Sequence, residues 1–166
     1  MLIQSALFSD WHTFDSFYSD AQQTIVYHPD DLQSKAGFLV VWGGGDIHPL
    51  LYKHNNVGSH VGQHPSYQDL LEYNLISGAI ARGIPVVGVC RGAQMGCILS
   101  GGCLVQDVTG HSYDHYITTK DEQRILTSSL HHQMMYPWDS NSDYDILAWT
   151  QPQRSKHYIS DIEGDA

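Results

Sequence analysis

Basic residues are scarce in this sequence. Lys and Arg number 8 against 18 Asp and Glu, for a formal net charge of −10. A nucleic-acid-binding surface needs a basic patch to neutralise phosphates, so no direct binding of DNA or RNA is expected. Eleven histidines add positive charge only below about pH 6.5 and do not reverse the sign at neutrality. Long apolar runs are missing too. None approaches the roughly 18 residues of a membrane helix, and the N-terminus lacks the basic stretch and apolar block of a secretory leader. A cytoplasmic protein with no membrane partner is the expectation. Cysteine is confined to Cys90, Cys97 and Cys103. An odd number within one short stretch argues against a disulfide framework. Their spacing does not match a zinc knuckle, and Cys97 and Cys103 read as small buried hydrophobes. No internal repeat or low-complexity segment is present.

The 166 residues, 42% hydrophobic and 16% charged, suit a single globular domain spanning 1–166. Leu2 to Phe8 reads as a first strand. Asp10 to about Gln22 carries Trp11, Phe14, Phe17 and Tyr18 as a helical stripe, with Asp10 as its cap. Thr24 to Tyr27 reads as a short second strand. Phe38 to Trp42 is a continuous apolar run ending at Gly43-Gly44-Gly45, the pattern of a strand buried on both faces. His54 to Pro65 is polar and irregular. Ser66 caps a predicted helix from Tyr67 to Arg82, with Leu70, Leu71, Asn74, Leu75, Gly78 and Ala79 inward and Gly83 ending it. Pro85 to Val89 is the next predicted buried strand, and Gly92 to Leu99 the next helix. After about Thr109 short strands such as Asp145 to Trp149 alternate with loops. Strands alternating with helices give an α/β class with a mostly parallel sheet flanked by helices. In such sheets the site lies beyond the carboxyl ends of the strands, where both Gly43-Gly44-Gly45 and Cys90 fall.

Gly88-Val89-Cys90-Arg91-Gly92 fits the nucleophile-elbow pattern, a nucleophile flanked by glycines two residues to either side. A tight strand-to-helix turn pushes the central side chain into a strained, exposed position. The glycines let the backbones pass without Cβ clashes. The helix N-terminus supplies free N–H groups and a positive dipole end, which favour a thiolate and a developing oxyanion.

These residues, with their neighbours, resemble a known family. Gly83-Ile84-Pro85-Val86-Val87-Gly88-Val89-Cys90-Arg91-Gly92-Ala93-Gln94, followed by Gly101-Gly102-Cys103-Leu104-Val105-Gln106-Asp107, is similar to the nucleophile region of class I glutamine amidotransferases. Within them it is closest to the γ-glutamyl hydrolase-like branch, the peptidase C26 group, which includes γ-glutamyl-γ-aminobutyrate hydrolases. Trp42-Gly43-Gly44-Gly45-Asp46-Ile47-His48-Pro49 resembles that branch's Gly-Gly-Gly-Asp loop, and Ser128-Ser129-Leu130-His131-His132-Gln133 its Ser-x-His-His-Gln segment. The likeness covers roughly residues 38 to 150. It implies a flavodoxin-like α/β fold and cysteine-dependent hydrolysis of a γ-glutamyl amide through a γ-glutamyl thioester. It also implies Cys90 as nucleophile, backbone oxyanion donors at Arg91 and at Gly44 or its neighbour Gly45, and substrate contacts from Gln94 and His132. For His132, a bond to backbone is an equal alternative. No cofactor is implied. The expected partners are glutamine or another small γ-glutamyl compound and, where ammonia is transferred, a separate synthetase.

The sequence departs from the family at the base. The resemblance calls for a histidine and an orienting glutamate downstream of the nucleophile, typically as His-Pro-Glu. The pairs His28-Pro29, His48-Pro49 and His64-Pro65 all precede Cys90, and none is followed by Glu. His28-Pro29-Asp30 reads as a turn. Three explanations stand: the domain lacks its C-terminal strand and catalytic His-x-Glu; the protein is a catalytically inactive binding or regulatory module; or His131, His132 or His157 substitutes. The i, i+4 pairs His60/His64 and His111/His115 have metal-ligand spacing. No helical stripe or further ligand completes either, so no metal site is expected. Tyr113, Tyr116, Tyr136 and Trp138 are expected at the pocket rim.

Overall fold

A computed structural model describes residues 1–6, 21–138, 140, 143–150 and 158–162. Its centre is a four-stranded parallel sheet built from β1 (Leu2–Ala6), β2 (Gln22–Val26), β3 (Phe38–Val41) and β4 (Val86–Gly88), in the order β2-β1-β3-β4. This order is the first four-fifths of the flavodoxin-like arrangement. Every residue of β1 and β3 is buried. Alternate residues divide between two apolar clusters, as the pleat requires. Leu2, Ala6, Leu39 and Val41 join one, and Ile3, Phe38 and Val40 join the other with Trp42. β4 is an edge strand of this sheet among the described residues, with Val87 37% and Val89 38% exposed. The sequence expectation of a strand buried like β3 is corrected on this point. Three apolar residues in a row look alike at the centre and at the edge.

Helix α1, Tyr67–Ala81, opens on a capping box: Asp69 N–H donates to Ser66 Oγ at 3.1 Å, and Ser66 N–H donates to Asp69 Oδ2 at 2.7 Å. It closes on Gly83 at φ 67, with Gly83 N–H on the Ile80 carbonyl and Ile84 N–H on the Ala79 carbonyl, the paired bonds of a Schellman ending. Its inner face differs from expectation. Asp69, Leu71, Glu72, Leu75, Ile76 and Ala79 are buried, whereas Leu70 is 50% exposed and Asn74 is exposed. The two acids turn inward to meet a buried arginine, and the apolar stripe rotates with them. Ser66→Ala removes the cap hydroxyl and is expected to cost about 1 kcal/mol. Urea denaturation checks this, and an unchanged midpoint would mean that the cap is inert.

Helix α2, Arg91–Leu99, follows β4 directly. Met95 and Ile98 pack into the same cluster as α1 and Leu104. The rest of the described chain is antiparallel. β7, β8 and β10 (His115–Thr119, Arg124–Thr127, Ala148–Thr150) form a three-stranded sheet. β5 (Cys103–Val105) pairs with β9 (Met134–Tyr136), and β6 (Asp107–Val108) with β11 (Tyr158–Ile159). Short strands do follow Thr109, but the one expected over Asp145 to Trp149 is Ala148–Thr150, with Asp145 to Leu147 outside it. His28-Pro29-Asp30 is the expected turn: His28 caps the 3-10 segment Pro29–Asp31. The helix expected over Asp10 to Gln22 falls outside the described residues for 10–20, and Gln22 opens β2 instead. No helix of the described residues is long and apolar enough to cross a membrane.

Candidate active site

Parallel pairing of Val41 with Gly88 brings the carboxyl ends of β3 and β4 side by side. Val89 N–H donates to the Val41 carbonyl at 2.9 Å, and Gly92 N–H to the Trp42 carbonyl at 3.0 Å. The chain therefore reverses from strand into helix within three residues. Cys90, at the N-cap of α2, takes φ 52 and ψ −113, a conformation that costs a non-glycine residue roughly 1–3 kcal/mol. The two glycines around it are required by space. A Cβ on Gly88 would lie 2.5 Å from Ala93 N, and one on Gly92 would lie 2.1 Å from the Val41 carbonyl oxygen. The Cys90 side chain is exposed and makes no capping hydrogen bond.

The glycine-rich loop lies against this elbow. A Cβ built on Gly43 would sit 3.6 Å from Cys90 Cβ and 3.9 Å from its sulfur, and one on Gly44 would press to 2.8 Å on Arg91 Cδ. Among the described residues the N–H groups of Gly44, Gly45 and Arg91 donate to no protein acceptor.

Arg91 does more than its sequence position suggests. Its side chain is 2% exposed. Nη2 pairs with Asp69 Oδ1 at 2.7 Å and Nε with Glu72 Oε2 at 2.8 Å. Nη1 donates to the carbonyls of Gly45 at 2.7 Å and Asp46 at 2.9 Å. One guanidinium thus ties α1 to the glycine loop through two of the loop's carbonyls. Burial pushes the Glu72 carboxyl up, and the adjoining Arg91 charge opposes that shift. The signal for this cluster was the spacing of Asp69 and Glu72, three apart and on one helix face.

Gln94 and His132 are each held by a partner of their own. The buried Gln94 amide donates to the Gln133 carbonyl at 2.7 Å, so the expected substrate contact is committed, in part, to fixing the 131–133 segment. His132 Nε2 lies 2.7 Å from Asp46 Oδ1. Gln133, absent from the predicted site, is its buried tie. Its Oε1 accepts from Ile47 N–H at 2.9 Å, and its Nε2 donates to the Ile47 carbonyl at 3.2 Å and to Ser59 Oγ at 2.9 Å. His131 contacts the His111 ring at a 4.9 Å centroid distance, and burial lowers its pKa. His157 falls outside the described residues.

The peptidase C26 family profile matches residues 28–150. The chain belongs to the peptidase C26 family. Its members here are of the class I glutamine amidotransferase-like kind. Mycobacterium tuberculosis Rv2859c, whose name assigns it provisionally to the glutamine amidotransferases, is 39% identical over 77 residues, 45% of this chain and 25% of that protein. The glutamine amidotransferase-like protein YvdE of Lactococcus lactis is 25% identical over 151 residues, 74% of this chain and 64% of that protein. The matched stretches thus span between a quarter and two-thirds of these relatives. Among solved structures, SMU.1228c superposes with a TM-score of 0.55 at 17% identity, covering 90% of this chain and 68% of that one. That likeness carries the α/β fold of this C26 chain.

Proposed function

We propose that this chain bears the nucleophile of a glutamine amidotransferase or γ-glutamyl hydrolase. The Cys90 thiolate attacks the γ-carbonyl of glutamine or a γ-glutamyl amine. The N–H groups of Arg91 and of Gly44 or Gly45 receive the oxyanion. Collapse expels the protonated amine and leaves a γ-glutamyl thioester; water then releases glutamate and restores the thiol. Ammonia passes to a separate synthetase, or the amine is simply released. A cytosolic setting suits this chemistry, since it keeps thiols reduced, and the three cysteines are free.

The observation that carries this reading is the positive-φ Cys90 at the first turn of α2, with uncommitted backbone donors beside it. Among the described residues Cys90 has no hydrogen-bonded base to protonate the leaving amine. That same lack favours the second reading, a binding or regulatory module without turnover.

Competition labelling of the folded chain with iodoacetamide at neutral pH separates the two. Cys90 is expected to react at least about tenfold faster than its neighbours, because reactivity follows exposed thiolate. Cys103 is buried, and burial pushes the Cys97 thiol up. Equal labelling of all three would defeat the nucleophile assignment. On a chromogenic γ-glutamyl anilide, mass spectrometry is expected to find the acyl group on Cys90 with little turnover, since acid–base assistance is worth about 10²–10⁴-fold. Robust turnover abolished by His132→Ala would instead install His132 as the base. Absence of any acyl group with normal folding would support the binding module.

A further inference from the structure

The spacing of histidines along the chain suggested no metal site, yet the fold assembles one that spacing does not show. Asp46, His60 and His132 each offer one ligand atom, and these atoms all lie within 4.8 Å of one another. We propose that these three residues bind a divalent transition-metal ion of the zinc or ferrous class, at the end of the glycine-rich loop.

Four features carry the inference. The first is the donor set. Two imidazoles and one carboxylate match zinc and iron rather than magnesium or calcium, which prefer all-oxygen shells. Three protein donors leave a position for water or an exogenous ligand. The second is the distance between donors. Ligand atoms about 2.0–2.2 Å from a tetrahedral zinc stand a little over 3 Å apart. His132 Nε2 and Asp46 Oδ1, at 2.7 Å, need only a small separation to admit an ion. The His60 ring, 4.9 Å from the His132 ring and tilted by 34°, belongs to an exposed residue that can swing.

The third feature is the surroundings of the donors. Asp107 Oδ1 lies 3.4 Å from His132 Nδ1, on the far side of the ring from Asp46. A carboxylate behind a histidine orients the ring and selects the tautomer that leaves Nε2 to the metal. That Nδ1 is buried and has no aligned hydrogen bond, so a slight closing of Asp107 would complete the pair. Asp46 is held as well: its Oδ2 accepts from His60 N–H at 2.6 Å, which leaves Oδ1 to coordinate and locks two of the three ligand segments together.

The fourth feature is the buried Gln133 amide. It bonds Ile47, which follows Asp46, and Ser59, which precedes His60, while itself following His132. One side chain therefore fixes the residue next to each ligand. A plain His132–Asp46 ion pair accounts for neither the second imidazole nor this three-way tie.

The test uses the full chain without an affinity tag, carrying Cys90→Ser so that the exposed thiol does not compete. Co²⁺ is titrated by visible absorption, and Zn²⁺ by calorimetry. One equivalent is expected to bind. His60→Ala, an exposed-loop change, is expected to weaken binding at least tenfold. Asp107→Asn is expected to weaken it about 10–100-fold, the usual cost of losing an outer carboxylate. His28→Ala, remote from the cluster, should leave affinity unchanged. Zn²⁺ should raise the melting temperature of the parent and not of the His60→Ala chain. Lack of stoichiometric binding, or binding indifferent to both His60→Ala and Asp107→Asn, would overturn the proposal. Neither outcome depends on whether Cys90 acts on a γ-glutamyl substrate.

Discussion

Gly92→Ala is expected to leave little soluble folded protein and to lower stability by more than about 3 kcal/mol. Overpacking a core ordinarily costs about 1–3 kcal/mol because neighbouring side chains shift to relieve it. Here the added methyl would meet the Val41 carbonyl oxygen at 2.1 Å and its carbon at 2.6 Å. Both are backbone atoms of β3, a strand paired on both sides, to β1 and to β4. Moving Val41 out of the way would disturb the sheet, and moving Gly92 would break its bond to the Trp42 carbonyl. Gly96→Ala is the matched control. It lies in the same helix, nothing lies within 4 Å of the added carbon, and a gain of about 0.5–1 kcal/mol is expected from helix propensity alone. Urea denaturation followed by circular dichroism reads both. Similar behaviour of the two variants would contradict the packing of the elbow described above.

Arg91→Ala is the second large effect. It strands Asp69 and Glu72 as buried charges, and breaking a buried pair from one side costs about 3–5 kcal/mol. Arg91→Lys is expected to recover little, since an ammonium lacks the planar fork that reaches two carboxylates and two carbonyls at once. A triple variant, Arg91→Met with Asp69→Asn and Glu72→Gln, removes the charges together and is expected to regain most of the loss. It would still lack the bonds to the Gly45 and Asp46 carbonyls, so the recovery should be incomplete. The pH dependence has a definite sign. Burial pushes the Glu72 carboxyl up, so a folded chain without Arg91 takes up a proton at a higher pH than the unfolded chain does. The deficit of Arg91→Ala should then be greatest near neutrality and shrink as pH falls toward the ordinary carboxylate range. A deficit that grows on acidification would count against a charged Glu72 as its source.

The parts of the molecule legible in the sequence are those fixed by local sterics and unbroken apolar runs. The fully buried β3 announces itself as five apolar residues before three glycines. The elbow is visible because two glycines flank Cys90 at the spacing that backbone crossing demands. Ser66 and Gly83 mark the ends of α1 through chemistry that acts within one turn. What escaped notice depends on contacts between distant segments. Asp69 and Glu72 carry no local cue to their burial, because nothing nearby in sequence pairs with them; their partner is Arg91, on the next helix. Counting apolar residues then turned Leu70 and Asn74 inward, one step from the true face. His60 and His132 are each visible as single residues, but their meeting at Asp46 is not, because both sit in irregular segments with no periodicity to read, and Gln133 joins three loops that only the folded chain brings together. The exposed edge of β4 was hidden for the opposite reason. Its local pattern matches a central strand, and only the sheet order tells them apart.

The crossing of β3 and α2 also bears on protein engineering. Five residues, Gly88 to Gly92, look like a cassette that could be moved into another α/β scaffold to install a reactive thiol. The contacts argue otherwise. Gly92 fits only beneath a Val41 held at this height, and Arg91 requires two acids on a neighbouring helix and two loop carbonyls to accept its fork. A host lacking these would receive a buried, unpaired cation along with the cysteine. A graft that works must carry the end of β3, its glycine loop and the first turns of α1 as well, so the smallest transferable unit is a large share of the domain.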